Sequence, residues 1–137
     1  MPAAKGDIYW VARENGLTPH YYVVLEDPHV DGTFLLASLT DRSNINEVRD
    51  IWPTGYAICR TVALSKPSIV AMQYIHIGSD QWLNERSALY LCSASPATIQ
   101  RMCCNLHWYR KFLRPPTLKR LNFHGSSWTQ PCGAPPQ

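Results

Sequence analysis

Two rhythms of hydrophobic and polar positions run along the chain. Between Gly6 and Cys92, short runs of β-branched and aromatic residues recur between turn residues, which predicts strands. After Ser95 the apolar residues recur every three or four positions, which predicts one amphipathic helix. The strand candidates are Ile8 to Ala12, Tyr21 to Leu25, Thr33 to Thr40, and Tyr56 to Leu64. Asn15-Gly16, Asp31-Gly32 and Pro53-Thr54-Gly55 punctuate them, and Asp31-Gly32 favours a tight hairpin turn. The first three strands read as an antiparallel meander. Val62 to Ile77 reads as a strand, a Ser65-Lys66-Pro67-Ser68 turn, then a strand with almost no charge. Ile69, Val70, Met72, Tyr74, Ile75 and Ile77 are too apolar for a solvated strand and predict one covered on both faces. Gln81 to Arg86 is an excursion carrying Trp82, and Leu89 to Cys92 is a last short strand.

The helix has a clear start, with Ser95 at the N-cap and Pro96 at the first helical position. Its apolar stripe is Ile99, Met102, Cys103, Leu106, Tyr109 and Leu113, and Pro115-Pro116 stops it. Residues 117–124 are ambiguous, and the Gly-, Ser- and Pro-rich end from Gly125 reads as poorly ordered. The predicted class is therefore mainly β (α+β). The expected architecture is a small SH3-like β-barrel of five to six strands with a C-terminal amphipathic helix, spanning 6–113. A basic, Pro/Gly-rich C-terminal tail, 114–137, follows.

Composition adds bounds. A 137-residue chain, 45% hydrophobic and 17% charged, suits one folded domain. No apolar run approaches the roughly 20 residues of a membrane span, and the N-terminus shows no signal-peptide h-region, so a cytoplasmic protein is expected. Five cysteines without a CxxC pair predict structural thiols and no zinc site.

Charge is unevenly spread. Residues 1–85 hold six basic and ten acidic side chains, whereas 86–137 hold seven basic and none acidic. Five of the seven, Arg110, Lys111, Arg114, Lys119 and Arg120, fall within eleven positions, the footprint of a polyanion or an acidic protein partner. No Gly-rich phosphate loop, Ser-His-Asp or Cys-His constellation, or paired carboxylates are visible.

The order of elements resembles the MazF/PemK family, the toxins of bacterial toxin–antitoxin pairs. Gly6-Asp7-Ile8-Tyr9-Trp10 matches the opening strand, Pro19 and Val23-Val24 the second, Thr40 the end of the third, and Gln73 with Ile77 a later strand. The closing helix matches at Ile99, Met102 and Leu106. The resemblance implies a dimeric SH3-like barrel that cleaves single-stranded RNA without a metal or other cofactor. Such chemistry needs a base for the 2′-hydroxyl, an acid for the leaving oxygen and a cation for the phosphorane. Here the acidic position before Gln73 is Met72, and the basic position falls near Val70. Each loss would remove about 2–4 kcal/mol of transition-state stabilisation.

The catalytic candidates are His20, Thr40, Arg60 and Gln73. His20 would be a general base or a strand-edge histidine; Arg60 would replace the missing cation or be a surface arginine. His76 reads as a core or edge histidine. The RNA-binding candidates are Arg13, Tyr21, Trp52, Arg110, Lys111, Arg114, Lys119 and Arg120, with Tyr9 and Tyr74 as further stacking aromatics. The leading reading is a toxin-type module that binds single-stranded RNA, at most a weak metal-independent endoribonuclease. The alternative is an inactive interaction module holding an acidic partner or antitoxin-like segment. An unrelated structural barrel is the third.

Overall fold

The computed structural model describes residues 2–12, 20–41, 50–123 and 132–136. Six strands, β1 (Asp7–Val11), β2 (His20–Val24), β3 (Thr33–Asp41), β4 (Ser68–Val70), β5 (His76–Ser79) and β6 (Leu89–Ser93), form one antiparallel sheet. Its order is β4-β3-β2-β1-β6, with β5 also on β3. Helix α1 (Asp80–Glu85) precedes β6, and α2 (Pro96–Trp108) and α3 (Pro115–Phe123) follow it. The mainly-β α+β class is as the sequence predicts. Among the described residues no strand pairing joins β4 to β6, so the sheet is open rather than ring-closed. No helix among them is long and apolar enough to cross a membrane.

The meander forms as its turn chemistry dictates. At the β2–β3 connection, Asp31 Oδ1 accepts from the Thr33 amide (3.0 Å) and hydroxyl (2.6 Å), and Gly32 supplies φ +81°.

β3 is the strand covered on both faces. Leu35, Ala37 and Leu39 enter one apolar cluster with Ile8, Val23, Met102 and Leu106; Phe34 and Leu36 enter another with Val11, Tyr22, Val24 and Leu83. Burial on alternate residues of both parities explains why Phe34 to Leu39 shows no polar alternation beyond Ser38.

The apolar stretch up to Ile77 departs from its prediction. It is two strands, both on the edge of β3 away from β2, with Leu39 opposite Val70 and Leu36 opposite His76. Six positions separate Val70 from His76 where three separate their partners. The surplus three residues coil into a 3₁₀ turn, Met72–Tyr74. Apolar content reported burial there but could not report the extra length. Tyr56 to Leu64 is likewise not a strand. It folds back on itself, with the Ile58 amide donating to the Val62 carbonyl (3.0 Å) and Leu64 to Tyr56 (2.9 Å).

Helix α2 starts as its cap predicts, the Ser95 hydroxyl accepting from the Thr98 amide at 3.2 Å. After the 3₁₀ turn Arg110–Phe112, the two prolines open a helix instead of ending structure. On α3, Leu121 is buried in the same cluster as α2, and the Thr117 hydroxyl donates to the Ile75 carbonyl at 2.9 Å.

The cysteines correct another expectation. Cys59 is bonded to Cys92 and Cys104 to Cys132, joining the 56–64 hairpin to β6 and α2 to the C-terminal segment; Cys103 is buried. Sequence spacing carries no signal for such pairs, because their partners meet only through the fold.

Candidate functional site

Strand register decides which catalytic candidates meet. His20 heads β2 opposite Val11. Tyr21 stands opposite Leu39, and one further step of that register puts His20 beside Thr40. Both are half-buried. Gln73 sits in the middle of the 3₁₀ turn, and Arg60 is exposed at the tip of the 56–64 hairpin next to the disulfide-bonded Cys59. The four candidates thus sit on four segments, and register brings together His20 and Thr40. Arg13 lies outside the described residues.

Two of the RNA-binding candidates are internal. Trp52 is fully buried, its ring 5.1 Å from that of Tyr56, so it has no face left for a base. The Arg101 guanidinium lies 5.0 Å from each of those rings and forms a two-pronged pair with the buried Asp50, at 3.0 and 2.8 Å. Hydrogen bonding to that carboxylate raises the Arg101 pKa above its ordinary value. Asn105 completes the network by donating to Asp50 Oδ2 at 2.7 Å. The four-residue spacing of Arg101 and Asn105 along α2 was the one sequence signal of this buried pair.

Arg120 is the second correction. Its Nε donates to Glu26 Oε1 (2.7 Å), and its terminal nitrogens donate to the Thr33 hydroxyl (2.8 Å) and carbonyl (2.7 Å). Its side chain is 12% exposed against 6% for Glu26. A guanidinium satisfied in this way is a clamp for α3, not a phosphate contact.

The other basic candidates remain outside. Arg110, Lys111, Arg114 and Lys119 are all exposed, the first two on the 3₁₀ turn, Arg114 just before α3 and Lys119 on it. The Arg114 guanidinium stands 5.8 Å from the ring centre of Tyr74, itself 45% exposed beside Gln73. A cation and an aromatic ring thus share one surface. Tyr21 belongs to a different patch, its ring 4.6 Å from that of Trp10.

His76 adjoins this surface but faces inward. Its Nδ1 lies 3.1 Å from the Tyr74 carbonyl, and its ring is 4.8 Å from Trp82, over which Arg86 is stacked at 4.1 Å. Its Nε2 is buried without a partner. Burial pushes its pKa below the ordinary histidine value, and the charges of Arg86 and Arg114 act in the same direction against the Tyr74 hydrogen bond. Neutral His76 therefore donates from Nδ1 to the Tyr74 carbonyl. His76 is thus half-buried on β5, where the sequence reads a core or edge histidine.

No family model matches the chain, and no curated protein matches it. Among solved structures, the chain is similar to the crystal structure of MazE-MazF (Form-III) from Deinococcus radiodurans. The TM-score is 0.47 at 14% identity, over 72% of this chain and 87% of that chain. Likeness of that degree does not by itself assign an activity.

Proposed function

We propose that the chain is a toxin-type module that binds single-stranded RNA, with little or no ribonuclease activity. Phosphates would lie along Arg110, Lys111, Arg114 and Lys119, and a base would stack on Tyr74. The observation that carries this reading is Arg114 placed 5.8 Å from the half-exposed Tyr74 ring. A cation beside an aromatic face is what a sequence-tolerant single-strand site requires. The absence of any acidic residue after Glu85 leaves that surface's positive charge uncancelled from its own segment. The sequence resemblance to the MazF/PemK toxins supports RNA as the polyanion and a homodimer as the working form, which sedimentation of the purified chain tests.

The experiment is fluorescence anisotropy of a short, labelled, mixed-sequence RNA across a salt series. Four phosphate contacts give a slope of log affinity against log salt of about −3. Replacing Arg110, Lys111, Arg114 and Lys119 together by alanine flattens it, and Tyr74→Ala weakens binding by about 1–3 kcal/mol. Salt-insensitive binding overturns the reading. Displacement of the RNA by an acidic peptide at much lower concentration assigns the surface to a protein partner instead.

A further inference from the structure

The disulfide between Cys104 and Cys132 encloses the proposed RNA surface. Cys104 is on α2, 28 positions before Cys132, and the covalent loop that the bond closes contains the 3₁₀ turn Arg110–Phe112 and all of α3. Arg110, Lys111, Arg114 and Lys119 are therefore all inside one ring of chain. Around Cys132 the C-terminal segment is seated on α2 a second time, where Trp108 Nε1 donates to the Gly133 carbonyl at 2.9 Å.

α3 needs such support. A nine-residue helix is too short to persist in water without tertiary contacts. Its contacts include the buried Leu121 with Leu118 beside it, the Thr117 hydroxyl bond and the Arg120 clamp on Glu26 and Thr33. The chain enters it from α2 through the 3₁₀ turn and Pro115, and the disulfide ties the far side back to α2. With the bond closed, the surface is covalently tethered at both ends; with it open, at one, and its far side rests on the non-covalent contacts alone.

We infer that the Cys104–Cys132 disulfide is a redox clasp on the basic surface, which holds Arg114 and Lys119 in binding geometry when oxidised and releases them when reduced. This rests on the RNA-binding reading for its ligand, though not for the clasp itself. The reducing partner is a dithiol. One of its thiolates attacks the half-exposed Cys132 sulfur, the protein S–S bond breaks, and the buried Cys104 leaves as a thiolate that takes up a proton. The dithiol's second thiolate then displaces Cys132, which is protonated in turn. Two electrons and two protons reach the protein, and the dithiol departs as its own disulfide. Preorganisation is what the protein loses, so affinity falls while the contacting residues are unchanged. Oxidising compartments would hold the clasp shut, and a glutathione-poised cytosol would open it.

The test pairs two readouts on the full chain, oxidised, dithiol-reduced, and as the Cys104→Ser/Cys132→Ser variant, which leaves Cys59–Cys92 intact. Amide exchange along residues 117–121 reports the clasp, and anisotropy with the labelled RNA reports its consequence. Opening the bond is expected to speed exchange in α3 by about tenfold, with β2 and β3 unaffected in the double variant. RNA affinity should fall by about tenfold and return on reoxidation of the wild-type chain. Unchanged exchange in α3 overturns the clasp. Faster exchange with undiminished RNA affinity overturns its control of binding. If the oxidised chain binds no RNA, the RNA reading fails and the gated ligand with it, while exchange still decides the clasp. Should the double variant not fold, reduction and reoxidation of a Cys59→Ser/Cys92→Ser chain, in which Cys104–Cys132 is the bond that opens, give the comparison.

Discussion

Arg120 and Glu26 stand 94 positions apart and meet at 2.7 Å, fastening α3 to the β2–β3 hairpin. Glu26 Oε1 also accepts from the Leu35 amide at 3.2 Å, and His29 Nε2 lies 3.2 Å from Oε2. The carboxylate is thus the hub of a nearly buried polar cluster. Arg120→Ala would leave it with its strongest partner gone. A loss of about 3 kcal/mol is expected, since removing one side of a buried pair strands the other charge. Urea unfolding of the two proteins measures it; a change within 0.5 kcal/mol, the range of ordinary surface substitutions, would remove the clamp from the account.

Gly78 packs against Leu36 so closely that a Cβ there would lie 2.5 Å from Leu36 Cδ1. Leu36 is itself fully buried. Gly78→Ala is expected to destabilise by about 1–3 kcal/mol through overpacking. Gly32→Asn serves as the comparison: no atom lies within 4 Å of a Cβ built there, and asparagine tolerates the positive φ. Equal melting temperatures for Gly78→Ala and wild type would contradict the packing.

His76 makes stability depend on pH in a defined direction. Its folded pKa lies below the ordinary value of 6.5, chiefly through burial. Above 6.5 both folded and unfolded chains carry it neutral, and this group adds no pH dependence. As pH falls below 6.5 the unfolded chain takes up the proton first, so stability is lost until the folded pKa is reached. Melting curves between pH 7.5 and 5 for wild type and His76→Gln are expected to differ most at high pH and to converge as the pH drops. A wild-type chain whose loss on acidification equals that of His76→Gln would show that this ring does not contribute.

Purified protein is expected to leave a mixed-sequence RNA intact. Met72, at the position to which the sequence resemblance to the MazF/PemK toxins would assign an acid, is buried in the 3₁₀ turn, and Val70 is buried in β4. Neither side chain can move a proton or neutralise a phosphorane. His20 and Thr40 come together by register, but Arg60 and Gln73 stand on other segments. Mapping of RNA ends decides the matter. Site-specific cleavage that disappears in His20→Ala or Arg60→Ala would reveal a relocated active site.

The sequence alone determined the meander, the position and cap of α2, the last short strand and the acid-free basic half, because these are written in local periodicity and turn chemistry. It could not report the 3₁₀ turn, since a continuous apolar run looks alike whether it is extended or coiled. Nor could it separate Arg120 from Arg114. Both are arginines in the same basic run, and only the arrival of Glu26 and Thr33 beside α3 makes one a buried clamp while the other stays in water. Trp52 became core rather than platform for the same reason, when Arg101 and Tyr56 closed over it. The two disulfides join cysteines 33 and 28 positions apart. Periodicity records which face of an element is buried; which distant group meets that face is a property of the packed chain.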